Sequence, residues 1–259
     1  RIRFTINGEK REYIMAKDII LKIIRDIGTD GANYKAMQFT GETVDKLSME
    51  ERLTLTNMST EAGAKNGIIE PDNITFEYLK KRTDKEFIPV KGDFGASFSN
   101  TFTYDIETLD PVIAKPYSPE NICAVGDIEG EIIDKAYIGS CTGAKLEDLR
   151  MAAKILKGKQ VKIRTEVLPA AQSIYLKAIN EGLVSIFLEA GAVVGPPTCG
   201  ACCGAHMGVL AKDEICISTT NRNFPGRMGH VESQTYLASP LVVAAAAING
   251  KITDPRNEM

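Results

Sequence analysis

The chain has 259 residues and a formal net charge of −3, with 44% hydrophobic and 25% charged residues, six cysteines, two histidines and no tryptophan. This is the composition of an ordinary globular protein, long enough to bury a core without disulfide staples; it excludes wholesale disorder, collagen and a disulfide miniprotein. The weak negative charge lacks the basic footprint that general nucleic-acid binding requires, and the longest apolar run, Leu241 to Ile248, is far shorter than the ~20 residues that span a bilayer as a helix.

In chain order, Ile2, Phe4 and Ile6 alternate and predict a half-buried strand ended by Gly8. Asp18 opens a helix with Ile19, Ile20, Ile23, Ile24 and Ile27 at helical spacing, closed by Gly28 to Gly31. A strand over Met37–Phe39 and a helix over Glu50–Lys65 follow, and the alternation defines an α/β domain. Lys81 to Gly130 shows little periodicity; within it Lys115 to Pro119 (KPYSP) reads as a linker, giving domains over residues 1–114 and 115–259. Strands are then predicted at Ala136–Ile138, Val161–Val167, Ala192–Val194 and Ile215–Ile217, and helices at Leu146–Leu156 and Ala171–Glu181. Ser239 reads as the N-cap of a last core helix, Pro240 as its first residue and Gly250 as its stop.

No apolar segment precedes Lys10, so nothing near Arg1 resembles a signal peptide and the expected compartment is the cytoplasm. Thiols stay reduced there, and clustered cysteines point to metal or redox chemistry before disulfides. Cys199 and Cys202 form a C-x2-C pair among glycines at 195, 200 and 204, and Cys141 sits at a strand-to-helix turn. The pair fits a structural zinc site, with Cys203, His206 or Cys216 as a further ligand, or an iron–sulfur cluster on three thiolates, or, more weakly, a thioredoxin-like dithiol. Cys123 and Cys216 stand alone and read as core residues. Asn221, Arg222, Asn223 and Arg227 surround a turn at Pro225-Gly226 and suit an anionic, polycarboxylate ligand. Asn57 and Glu61 lie four apart; spacing alone favours a solvent-facing pair over a shared cleft. His206 and His230 read as structural.

Five segments together resemble the aconitase superfamily, closest to the large subunit of its two-chain hydro-lyases, 3-isopropylmalate dehydratase and homoaconitase. They are GTDGA at Gly28 to Ala32, TNMSTEAGA at Thr56 to Ala64, IGSCTGAKLEDLR at Ile138 to Arg150, CGACCG at Cys199 to Gly204 and NRNFPGR at Asn221 to Arg227. The resemblance implies two three-layer αβα (Rossmann-like) domains and a 4Fe-4S cluster on Cys141, Cys199 and Cys202, with one iron left open. It places Asn57 and Asn221 near the cluster, Glu61 at the water on the open iron, and Arg222 and Arg227 on substrate carboxylates. The implied reaction is dehydration and rehydration of a 2-hydroxy di- or tricarboxylate, 2-isopropylmalate to 3-isopropylmalate in leucine biosynthesis, or the homoaconitase or citramalate counterpart.

Two positions depart from the family pattern: Gly143 stands where an asparagine is common, and Cys203 stands beside Cys202 where a bulkier apolar residue is common. In the family a further N-terminal domain supplies acid–base residues, and a small subunit supplies the swivelling fourth domain. The chain is therefore expected to be two of four domains, cut before Arg1, inactive alone and able to hold a cluster. An iron-sensing RNA binder and a structural metal protein are the alternatives from other classes.

Overall fold

The computed structural model describes residues 1–259. The first unit follows the strand–helix alternation: β1 (Ile2–Asn7), α1 (Ala16–Ile27), β2 (Ala36–Thr40), α2 (Glu42–Lys46), α3 (Met49–Met58), β3 (Asn66–Ile69), α4 (Asn73–Lys80) and β4 (Asn100–Asp105). Its four strands are all parallel in the order β3-β2-β1-β4. The alternation in β1 puts Ile2, Phe4 and Ile6 on the buried face, where Phe4 stacks on Phe39 at 5.6 Å and on Phe102 at 5.4 Å. The isoleucines of α1 cover that face together with Leu55 and Met58 of α3, and each buried aliphatic side chain contributes roughly 1.5–3 kcal/mol. The opposite face, with Arg3, Thr5 and Gln38, stays half-exposed.

The second unit contains β5 (Val112–Ala114), β6 (Ile122–Ala124), β7 (Lys135–Ile138), α5 (Ser140–Gly143), α6 (Leu146–Leu156), β8 (Arg164–Val167), α7 (Gln172–Asn180), α8 (Leu183–Glu189), β9 (Val193–Val194), β10 (Ile215–Ser218), β11 (Gln234–Ala238) and α9 (Pro240–Asn249). Its sheet runs β6-β5-β11-β10-β7-β8-β9, parallel from β11 to β9, with β5 and β6 antiparallel at one edge. Helices α6 and α9 cover one face through Ala136 and Ile138. Over the other face α1 of the first unit packs on β5 and β11 at Val112, Ala114 and Leu237, and beyond it Tyr137 and Cys216 pack on Leu168, Leu210, Met228 and Ala201, the last in a 3-10 turn.

Several local expectations change. Lys115–Pro119 is the loop of the β5–β6 hairpin, inside the second sheet, so the chain passes between sheets before Val112. The predicted helix over Glu50–Lys65 stops at Met58 and tightens into a 3-10 turn over Ser59–Ala62, closed by Gly63 in the left-handed conformation. Ser239 occupies the N-cap position of α9, but its hydroxyl makes no capping bond; Pro240 at N1 and left-handed Gly250 frame the helix. No helix is long and apolar enough to cross a membrane.

The two units are stitched at the start of α1. The Asp18 carboxylate is fully buried and accepts from the Met15 N–H at 2.9 Å and from the Val112 N–H of β5 at 3.1 Å. Burial pushes this carboxyl up to about 6 despite those donors. The native state therefore holds the proton more tightly than the unfolded chain, and that stabilisation, complete below pH 4, is lost as pH rises through 6. Relative to Asp18→Asn, the unmodified protein should lose on the order of 2 kcal/mol of unfolding free energy between pH 4 and 6. Parallel denaturant titrations of the two proteins measure this; identical pH slopes would contradict it.

Candidate functional site

The site forms where three segments of the second unit meet the α3 region of the first. Strand β7 ends at Ile138; Gly139 follows, and Ser140 then turns with a φ of 79°. The Ser140 hydroxyl accepts from the Thr142 and Gly143 N–H groups at 3.3 Å each, offsetting the cost of this left-handed conformation and presenting the Cys141 thiol outward.

Gly143 lies against Thr219: a Cβ there would stand 2.3 Å from the Thr219 carbonyl oxygen. An asparagine at this position, as is common in the family pattern, has no room beside Thr219 in this backbone. Gly143→Ala should lower unfolding stability by about 1–3 kcal/mol, the ordinary cost of overpacking. An unchanged denaturation midpoint would show instead that Thr219 yields freely.

The C-x2-C pair brackets a 3-10 turn over Gly200–Cys203. Gly200 has a φ of +49°, and a Cβ there would meet the Tyr137 hydroxyl at 2.5 Å. Tyr137, rooted in β7, donates to the Cys199 carbonyl at 2.9 Å and so fixes the turn from below. All six cysteines are free; Cys141, Cys199 and Cys203 are exposed and Cys202 is buried. Burial pushes the Cys202 thiol up, opposed by the nearby Arg227 guanidinium and the Asn221 backbone. Cys203 turns elsewhere, its thiol 3.7 Å from the Gly200 carbonyl.

Beyond β10, Thr219 and Thr220 lead into the arginine loop. A chain of hydrogen bonds then crosses between units. The Thr142 hydroxyl donates to Asn221 Oδ1 at 2.6 Å, the Asn221 amide donates to Asn57 Oδ1 at 2.8 Å, and the Asn57 amide donates to the Cys141 sulfur at 3.4 Å. Beside it, Arg222 Nε reaches both oxygens of Glu61 at 2.7 and 3.0 Å. Glu61 is nearly buried, with 4% side-chain exposure, whereas Arg222 keeps 41%, leaving the far end of its guanidinium open. The pair holds Arg222 above the ordinary arginine range.

Arg227 leaves its buried Nε without a partner. Asn223 is structural: its amide bridges the Lys115 carbonyl at 2.8 Å and the Thr235 carbonyl at 3.1 Å. Neither histidine joins the cluster: His206 pairs with the Thr198 hydroxyl at 2.8 Å, and His230 Nδ1 accepts from the Glu232 N–H at 3.1 Å.

A cleft of about 700 Å³ reaches Asn57 and Cys141 and is lined further by Lys65, Arg82, Lys145 and Lys177; Glu61, Asn221 and the remaining cysteines lie outside it. Residues that sequence reasoning missed are Thr142, Tyr137, Thr219 and Lys17. Thr142 lies within the Cys141 motif, so its place was signalled though its role was not. Lys17 is buried and donates to the Thr219 and Thr220 carbonyls, the former at 3.2 Å; burial and the neighbouring Lys145 bring its ammonium down to about 8.

A sequence model of the Aconitase family (aconitate hydratase) matches residues 1–131 and 126–250. The chain belongs to the aconitase family, and its parallel-sheet α/β units are that family's fold. Within it, the chain is 52% identical over 257 residues to the 3-isopropylmalate dehydratase large subunit of Halothermothrix orenii, covering 98% of this chain and 61% of that protein. It is 48% identical over 256 residues to large subunit 1 of the same enzyme from Methanopyrus kandleri and 51% over 258 residues to that from Pyrococcus furiosus, again over 98% of this chain and 61% of each relative. The chain thus spans about three-fifths of the length of these curated relatives. Among solved structures, Thermococcus kodakaraensis aconitase X in its holo-form aligns with a TM-score of 0.44 at 14% identity, covering 89% of this chain and 53% of that one, a likeness too slight to carry argument.

Proposed function

We propose that this chain is the cluster-bearing part of a hydro-lyase large subunit that interconverts 2-isopropylmalate and 3-isopropylmalate by dehydration and rehydration, in leucine biosynthesis. The observation that carries the reading is the hydrogen-bond chain from Thr142 through Asn221 and Asn57 to Cys141, with the Arg222–Glu61 pair beside it. It gathers, from both units, the residues that the family resemblance assigns to the site. The relatives that share about half of its residues are named for that reaction.

A 4Fe-4S cluster on Cys141, Cys199 and Cys202 suits the donors present. The three thiols are unbridged, an amide donates to one sulfur, and Arg227 faces another with a buried Nε still lacking an acceptor. A closed zinc site needs four ligands, whereas three thiolates suffice for a cluster with one iron left open. When bound, the cluster would supply Lewis-acid polarisation of the departing hydroxyl. Arg222 and Arg227 would hold substrate carboxylates and stabilise the charge that builds there in the transition state. Glu61, oriented by Arg222, would accept the hydrogen bond of the hydroxyl or water that leaves and returns. Asn57 and Asn221 would keep Cys141 fixed while this happens.

The same reading supplies a small subunit as partner, carrying the swivelling fourth domain, and a cytoplasmic location, where unbridged cysteines stay reduced. The test is turnover by the complete large subunit joined with its small subunit, offered 2-isopropylmalate, citramalate and homocitrate. Preferred turnover of isopropylmalate supports the reading; preference for homocitrate or absence of turnover on all three overturns it.

A further inference from the structure

Lys17 and Asp18 both leave the start of α1 for the other unit, and the proposed chemistry uses neither. Lys17 is 3% exposed and its ammonium forms none of the structure's ion pairs with a carboxylate. Its bonds go instead to two backbone carbonyls, Thr219 and Thr220, more than two hundred residues away in sequence. A desolvated ammonium without a carboxylate is costly, so its place is set by what those carbonyls need.

Thr219 and Thr220 immediately precede Asn221 and Arg222. Thr219 is already tied on its other sides: its N–H donates to the Tyr137 carbonyl at 3.0 Å, and its hydroxyl exchanges 2.9 Å bonds with the Gly139 N–H and carbonyl. Its carbonyl takes the Ser140 hydroxyl at 3.5 Å from within the unit and Lys17 at 3.2 Å from α1, while the Thr220 carbonyl takes Lys17. Asn57 and Glu61 belong to the same unit as Lys17, because α1 packs along α3 and the turn that follows it. One lysine therefore joins the body that carries Asn57 and Glu61 to the turn that carries Asn221 and Arg222.

We propose that Lys17 is a positioning residue of the composite site: by holding the Thr219 and Thr220 carbonyls it sets the register in which Asn221 meets Asn57 and Arg222 meets Glu61. Its relevance to turnover rests on the hydro-lyase reading; its anchoring role does not.

Hydrogen exchange measured by mass spectrometry on the chain itself tests the anchor. In Lys17→Met, exchange across residues 219–223 should accelerate about tenfold or more while α9 on the same sheet is unchanged, and Lys17→Arg, which keeps donors, should restore protection. Wild-type protection in Lys17→Met overturns the proposal. Should that variant not fold, the unmodified chain decides: the Thr219 and Thr220 amides, bonded to the Tyr137 carbonyl and the Ser218 hydroxyl, are expected to exchange as slowly as those of β10, and exchange as fast as in the exposed 211–213 turn overturns the anchor. In the complete enzyme, Lys17→Met should lower kcat about a hundredfold, as misplaced site groups do, with little change in melting temperature. A lowered melting temperature with unchanged kcat would reduce Lys17 to a structural residue. Faster exchange in a protein that turns over no hydroxy-carboxylate would keep the anchor and remove the hydro-lyase reading.

Discussion

Cys202→Ser is expected to lose its iron and Cys203→Ser to keep it. The two neighbours are chemically alike, and spacing alone chose between them in the sequence. Geometry separates them: Cys202 is buried and faces Arg227 and the Asn221 backbone, whereas Cys203 is exposed with its thiol toward the Gly200 carbonyl. A thiolate at Cys202 would meet compensating positive charge; one at Cys203 has none of these partners. Serine at 202 should weaken cluster retention more than about 100-fold, beyond the usual cost of disturbing a ligand's supporting partners. Iron and sulfide counts after anaerobic reconstitution of both variants measure this. Equal retention, or loss in the Cys203 variant alone, would reassign the ligand.

Glu61→Gln in the complete enzyme should lower kcat by about 10²–10⁴ while leaving the fold intact. Glutamine fills the same space and still accepts hydrogen bonds, but it holds neither the charge that orients Arg222 nor the basicity of a carboxylate. Arg222 keeps 41% side-chain exposure and can turn to solvent, so its own charge is not stranded when its partner is removed. Separate kcat and KM values, with a melting curve as control, distinguish this from simple loss of binding. A raised KM with unchanged kcat would make Glu61 only a prop for Arg222.

Much of the fold was legible because hydrophobic period and turn residues agree locally. Alternation wrote β1, the isoleucine spacing wrote α1, and Pro240 with Gly250 framed α9. Other elements were hidden for identifiable reasons. Strand β4 (NTFTYD) does alternate, with Phe102 and Tyr104 inward, but it lies between exposed polar stretches that obscured it. The hairpin of β5 and β6 uses three-residue strands, too short for a period, and its proline-rich loop imitates a linker. Of the candidate site, residue types and motif positions were readable, but the pairings were not. Asn57 and Glu61 look like a solvent pair until the arginine loop, 164 residues beyond Asn57, covers them. Lys17 gives no signal at all, since a lysine opening an amphipathic helix is ordinarily a solvated charge; only the fold buries it.

Anaerobic reconstitution of the unmodified chain with iron and sulfide tests the central claim most directly. The account predicts a brown, oxygen-sensitive protein with about four irons and four sulfides per chain, its visible absorbance lost on oxidation. A colourless protein that takes up stoichiometric zinc in place of iron would contradict it.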